Sequence, residues 1–316
     1  MAETVADIGE FGLIERISAL VPPAADGVVG IGDDAAVLDI PGKLVASVDA
    51  VVEGRHFKRE WTSGEDVGHR AAAAAMADLA AMGGQCKALM VALTLPSETE
   101  VSWVESLMTG IVDEAAELDA EVVGGDVTRG DTIVVSLSAL GTVSDVVRRS
   151  GAQPGDIVAL AGRQGWAAAG LTVLSRGFRS PRALVQAYQR PHPPYDSGPA
   201  AARGGATAMI DVSDGLLADV SHLAKASGVL ADLESELIPV ADQLQETSSA
   251  FNVDPLTWVL AGGDDHSLVA TFPAGSQLPQ MFTMIGRITA VGANGPGVAV
   301  DGRHWSGQGG GHDHFR

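Results

Sequence analysis

Short apolar runs of strand length alternate with longer runs of helical period along this chain, a pattern that a layered α/β protein satisfies. Residues 10–21 carry Phe11, Leu13, Ile14, Ile17, Leu20 and Val21 at helical spacing and stop at Pro22-Pro23. Strand-like runs follow at 44–48, 89–95 and 133–140. Between the first two, the Ala-rich run 66–82 ends at Gly83-Gly84, which predicts a helix with a glycine stop. Pro96-Ser97 introduces a second helix, with Val101, Val104, Leu107, Met108, Ile111, Val112 and Leu118 on one face.

Residues 151–155, with Pro154, read as a junction, after which the pattern restarts. A strand (157–161), a helix (167–176), a loop holding Pro191, Pro193 and Pro194, a strand (208–212), a helix (216–226) and a late strand (267–272) are expected. Two α/β domains are therefore expected, 1–148 and 149–316. The 316 residues are 46% hydrophobic but only 4% aromatic, so the core must be built from Ala, Val, Leu and Ile.

A formal charge of −20 argues against nucleic acid as a partner, because phosphate backbones are bound with Lys and Arg. The single cysteine, Cys86, rules out an internal disulfide and reads as a buried, inert thiol. No basic-apolar leader and no apolar run of membrane-spanning length is present, so a cytoplasmic protein without a membrane partner is expected.

The aspartates carry the chemistry. Asp33 and Asp34 follow Gly30-Ile31-Gly32, Asp49 follows the run 44–48, and Asp126 follows Val122-Val123-Gly124-Gly125. Asp211 and Asp214 bracket Val212 and Ser213 at the end of a strand, and Asp264 and Asp265 follow Gly262-Gly263. In open α/β folds ligands gather beyond the strand ends, so these acids are expected on one rim. Asp78 differs, lying within the Ala-rich helix where a charge needs a partner. Such acids suit hard divalent cations, which would remove their mutual repulsion and attract a triphosphate. Taken singly, each also has a structural use: Asp33 and Asp34 as turn caps, Asp126 in an Asx-turn, Asp211 or Asp214 as a helix cap. There is no Gly-x-x-x-x-Gly-Lys-Ser/Thr loop and no complete dinucleotide fingerprint.

Read in order, GIGDDAAV (30–37), SVDAVVEGRHF (47–57), MADLAAMGG (76–84), GGDVTRG (124–130), RSGAQPGD (149–156), IDVSDGLLAD (210–219), LAGGDDHSL (260–268) and GHDHF (311–315) resemble thiamine-monophosphate kinases, within the aminoimidazole ribonucleotide synthetase superfamily. The resemblance implies a two-domain α/β fold whose N-terminal domain pairs strands with its twin in a homodimer. It implies transfer of phosphate from ATP to thiamine monophosphate, with several Mg²⁺ ions and room for K⁺. It further implies metal contacts at Asp34, Ser47, Val48, Asp49, Asp78, Asp126, Asp211 and Asp214. Gly125, Asp126, Arg149 and Ser213 would meet ATP, and His56, Asp264 and His312 would meet the substrate. The acceptor phosphate is already ionised at neutral pH, so no general base is assigned; charge neutralisation and positioning dominate such transfers.

Four positions depart from the family pattern. Val48 stands where Thr is usual, leaving only its backbone carbonyl for a metal. Asp264 replaces a Glu, His266 a Tyr, and His312 an aromatic residue. Two other readings stay open on the residues alone: a different ATP-dependent enzyme of the superfamily, of the aminoimidazole ribonucleotide synthetase kind, and a catalytically silent divalent-metal-binding dimer.

Overall fold

The computed structural model describes residues 2–25, 28–32 and 34–306; Asp33 and the terminal segment with His312 lie outside the described residues. By contact density the chain divides into two units. One joins the residues up to Leu79 with Gln85–Ser144, the other joins Ala80–Gly84 with the chain from Asp145 onward.

In the first unit, helix α1 (Val5–Leu20) is followed by β1 (Lys43–Val52), α2 (Gly64–Ala81), β2 (Gln85–Leu95), α3 (Val101–Ala116), β3 (Glu121–Arg129) and β4 (Val134–Val143). The sheet order is β1-β4-β2-β3. β1 and β2 both run antiparallel to β4, while β2 and β3 are parallel, joined through α3. Helix α2 opens with a reciprocal cap: Ser63 Oγ donates to Asp66 Oδ2 at 2.8 Å, and the Asp66 N–H donates to Ser63 Oγ at 3.1 Å. Its alanines at 71, 72, 73, 75 and 77, with Met76 and Leu79, are buried. Helices α2 and α3 touch backbone to backbone: a Cβ at Gly68 would meet Leu107 O at 2.1 Å, and one at Gly110 would meet Glu65 O at 2.1 Å. Small residues bring two helices this close only where both faces lack side chains.

Two expectations change here. Asp49 lies inside β1 and Asp126 inside β3, rather than beyond their ends. β1 and β3 are the two edge strands of the sheet, and an edge tolerates a mid-strand acid because water still reaches it. The pairing is also more antiparallel than strand–helix alternation suggested, so a single rim of parallel strand ends does not describe these acids.

The second unit contains β5 (Ile157–Ala161), α4 (Trp166–Ser175), α5 (Arg182–Gln189), α6 (Ser197–Arg203), β6 (Ala208–Val212), α7 (Leu216–Ser227), β7 (Leu230–Leu233), α8 (Asp242–Phe251), α9 (Pro255–Ala261), β8 (Ser267–Phe272), β9 (Phe282–Thr289), β10 (Gly297–Val300) and β11 (Arg303–His304). Its sheet runs β11-β10-β7-β9-β5-β8-β6, antiparallel except at β10–β7. Every residue of β5, β6 and β8 is buried, including Asp211 in β6 and Ser267 and Thr271 in β8, so these strands show no in-out alternation. Among the described residues, no helix is long and apolar enough to cross a membrane.

Candidate functional site

Alternation along β1 sets the first cluster. Ser47 and Asp49, two residues apart, share a face, while Val48 points the other way and is 66% exposed. Ser47 Oγ donates to Asp78 Oδ2 at 2.5 Å, so the acid inside α2 has its partner on the edge strand. The Ala50 N–H donates to Asp49 Oδ1 at 2.7 Å, holding that carboxylate beside its own backbone.

On the opposite edge, Gly124, Gly125 and Asp126 line an open groove, with Ile14 and Ile17 of α1, Ile31, and Val91 of β2 among its walls. Gly125 is required there: a Cβ would fall 2.0 Å from Val91 O. Paired bonds of 2.9 Å between Val29 and Val37 close the loop that carries Asp34, which is exposed. His56 sits in a turn after β1; its Nδ1 accepts the Val52 N–H at 2.9 Å, so the proton is on Nε2. Cys86 is buried within β2, and that burial pushes its thiol up to about 11.

The second cluster lies where β6 passes into α7. Asp211 is buried in β6, and Ser213 and Asp214 follow it in the turn. Asp219, one turn into α7, reaches back: its Oδ2 accepts the N–H groups of Asp214 at 2.9 Å and Gly215 at 3.0 Å. Burial and the neighbouring charges of Asp211 and Asp214 push the Asp219 carboxyl up to about 7. Nδ1 of His266 lies 3.2 Å from Asp211 Oδ2.

The segment 262–266 is laced onto this turn. The Asp264 N–H donates to Ser213 O at 2.9 Å and the His266 N–H to Val212 O at 3.1 Å. Asp264 adopts φ 66°, a left-handed conformation in which Asp is several-fold commoner than most residues. That requirement is met by the Asp found here in place of the usual Glu. Asp265 turns inward, where its Oδ1 accepts the Ala167 N–H at 2.9 Å at the start of α4. Gln164 clamps the same segment, donating to Val259 O and Gly262 O and accepting from Ser267 Oγ. Arg149 is exposed, and its carbonyl accepts Ser227 Oγ at 3.2 Å.

The structure thus joins Ser47 to Asp78, sets Gly125 and Asp126 on one groove, and gathers Asp211, Ser213, Asp214 and Asp264. Sequence reasoning missed Asp219 and Gln164 as organisers of the second cluster. Asp219 was visible as an acid one turn into the helix after Asp214-Gly215; Gln164 gave no signal, since its partners lie 95–103 residues away. Both clusters are rich in carboxylate oxygen, and in the second, burial together with the nearby charges of Asp211 and Asp214 raises the Asp219 carboxyl; such a donor set fits a hard divalent cation.

Residues 32–143 match the family described as AIR synthase related protein, N-terminal domain, and residues 153–277 match its C-terminal domain. A thiamine-monophosphate kinase of Mycobacterium tuberculosis is 39% identical over 97% of this chain and 92% of its own length. The chain belongs to the thiamine-monophosphate kinase family. Another member, from Escherichia coli, is 36% identical over 89% of this chain and 91% of its own length. Among solved structures, the family's kinase from Stenotrophomonas maltophilia matches with TM-score 0.82 and 34% identity, covering 94% of this chain and 98% of that one. AaThiL complexed with AMPPCP and TMP matches with TM-score 0.81 and 33% identity, covering 97% of this chain and 98% of that one.

Proposed function

We propose that this protein is an enzyme that transfers the terminal phosphoryl group of ATP directly to thiamine monophosphate, giving thiamine diphosphate and ADP. The observation that carries it is family membership over nearly the whole chain, including a relative complexed with AMPPCP and TMP. Both reactants are anionic, and Mg²⁺ bound with them would neutralise the charge that develops as the phosphoryl group moves in line between them.

Asp34, Ser47, Asp49, Asp78 and Asp126 on the first unit, with the Val48 carbonyl, and Asp211 and Asp214 on the second would hold the magnesium ions. Ser47 fixes the Asp78 carboxylate, and Asp219 fixes the Asp214 turn. The groove at Gly125 and Asp126 suits a nucleotide, its apolar walls offering a surface for a flat base. Arg149 and Ser213 would meet the phosphates. His56, Asp264 and His312 would meet the acceptor. Held as an Nε2–H donor, His56 can orient an acceptor oxygen without taking a proton from it.

The domain reading is residues 1–148 as the metal-, ATP- and dimer-forming half, and 149–316 as its companion. One face of the first unit's sheet leaves Leu44 at 58%, Val48 at 66% and Met90 at 39% exposed. Val48 and Met90 both flank Ser138 in register, so they are neighbours on that face. Such an apolar sheet face suits a second copy of the chain. A cytoplasmic location and stimulation by K⁺ complete the proposal.

The test is purified protein with ATP, Mg²⁺ and thiamine monophosphate, with product separated by chromatography. Diphosphate formed from the monophosphate, absent with EDTA and absent from free thiamine, is expected. A folded protein that binds MgATP yet makes no diphosphate would overturn the acceptor. Omitting K⁺ tests the monovalent ion in the same assay.

A further inference from the structure

The tight contact between α2 and α3 assembles a set of side chains that phosphoryl transfer does not use. Glu65 and His69 are four residues apart on α2 and so share a helix face. Gly64 and Gly68 on α2 and Gly110 on α3 contact the opposite helix without side chains, which brings Asp113 of α3 up to that face. One ligand atom from each of Glu65, His69 and Asp113 lies within 4.8 Å of the other two.

The next residue along α3, Glu114, is buried, and its Oε2 lies 2.9 Å from His69 Nδ1. A carboxylate at Nδ1 fixes the imidazole with its proton on that nitrogen and leaves Nε2 with its lone pair. That is the arrangement found behind metal-binding histidines generally.

We propose that Glu65, His69 and Asp113 form a surface site for a first-row transition-metal ion of the Zn²⁺ class, bridging α2 and α3. The imidazole separates this site from the all-oxygen acids assigned to magnesium, since nitrogen ligands favour Zn²⁺, Co²⁺ or Ni²⁺ over Mg²⁺. Its position across two helices makes it a staple, stabilising the pair by mass action when filled. The site is independent of the kinase reading.

The experiment is Zn²⁺ titration of the full chain by calorimetry in excess Mg²⁺, which occupies the oxygen sites, together with melting temperature measured with and without Zn²⁺. One Mg²⁺-resistant Zn²⁺ per chain and a raised melting temperature are expected. Both should be weakened about tenfold or more in affinity by His69→Gln and, separately, by Asp113→Asn. Asp113 is exposed, so that variant keeps the fold. A double variant, His312→Ala with His314→Ala, should bind as the parent does. No Mg²⁺-resistant binding, binding unchanged in both α2–α3 variants, or binding lost only with the terminal histidines would each overturn the proposal.

Discussion

The hydroxyl of Ser47 on an edge strand donates to the carboxylate of Asp78 within a buried alanine helix. Without that partner, the carboxylate would sit among the small side chains of α2 with one fewer donor to hold its direction. Asp78→Asn keeps the size of the side chain and removes its charge. It should lower magnesium-dependent turnover about 100-fold or more while moving the melting temperature by only a few degrees. Ser47→Ala should give a smaller loss of the same kind. Steady-state assays beside thermal melts separate these outcomes; equal loss of fold and activity would mark Asp78 as structural.

Asp219 accepts the backbone N–H groups of Asp214 and Gly215, and so fixes the β6–α7 turn that carries Asp214. Asp219→Ala should raise the magnesium concentration needed for half-maximal rate by about tenfold, with thermal stability changed less than the magnesium requirement. A magnesium dependence identical to the parent's would show that the turn holds itself.

Gly263 has Ser213 O where its Cβ would be, at 2.1 Å. Gly263→Ala must part the segment 262–266 from the turn at Ser213. A loss of about 3 kcal/mol is expected in urea unfolding, with activity lost in the variant that remains folded. Unchanged stability would mean that the two loops separate without cost.

Asp265 supplies a pH dependence whose sign is fixed. Burial pushes its carboxyl up to about 7, from 3.8 for the free side chain. Between those values the folded chain holds a proton that the unfolded chain has released, so the contribution to stability is full below about pH 4 and is lost as pH rises through about 7. Asp265→Asn mimics the protonated form and removes this titration. Relative to the variant, the parent should lose ~4 kcal/mol between pH 4 and pH 8, read from urea midpoints across that range. Parallel curves would refute the assignment.

Much of this was legible along the chain, for reasons that differ by element. The strands 157–161, 208–212 and 267–272 could be read to the residue because each is buried on both faces and is mostly apolar, with Asp211, Ser267 and Thr271 as the polar exceptions. The short helices α5, α6, α8 and α9 and the strands β7, β9, β10 and β11 were not read, since two to ten residues of mixed polarity carry little periodic signal. The acids that matter were identifiable from glycine and apolar context, but their placement at strand ends was wrong for Asp49 and Asp126. Nothing in local sequence says that a strand is an edge, and only an edge makes a mid-strand acid affordable. Gln164, tied to partners far along the chain, lay beyond any local reading.

The alanines of α2 have a consequence for precision. An alanine side chain has no rotamer to lose on burial, and its methyl can adopt no alternative packing. A helix built of them cannot adjust to a neighbour by shuffling side chains; it either keeps its position or shifts as one body. Asp78, two positions beyond Met76 on that rod, is aimed by a support with almost no internal freedom. Its aim is therefore set by backbone geometry at little entropic cost, and enlarging any one of those alanines would displace the carboxylate even though no partner of the carboxylate had been touched.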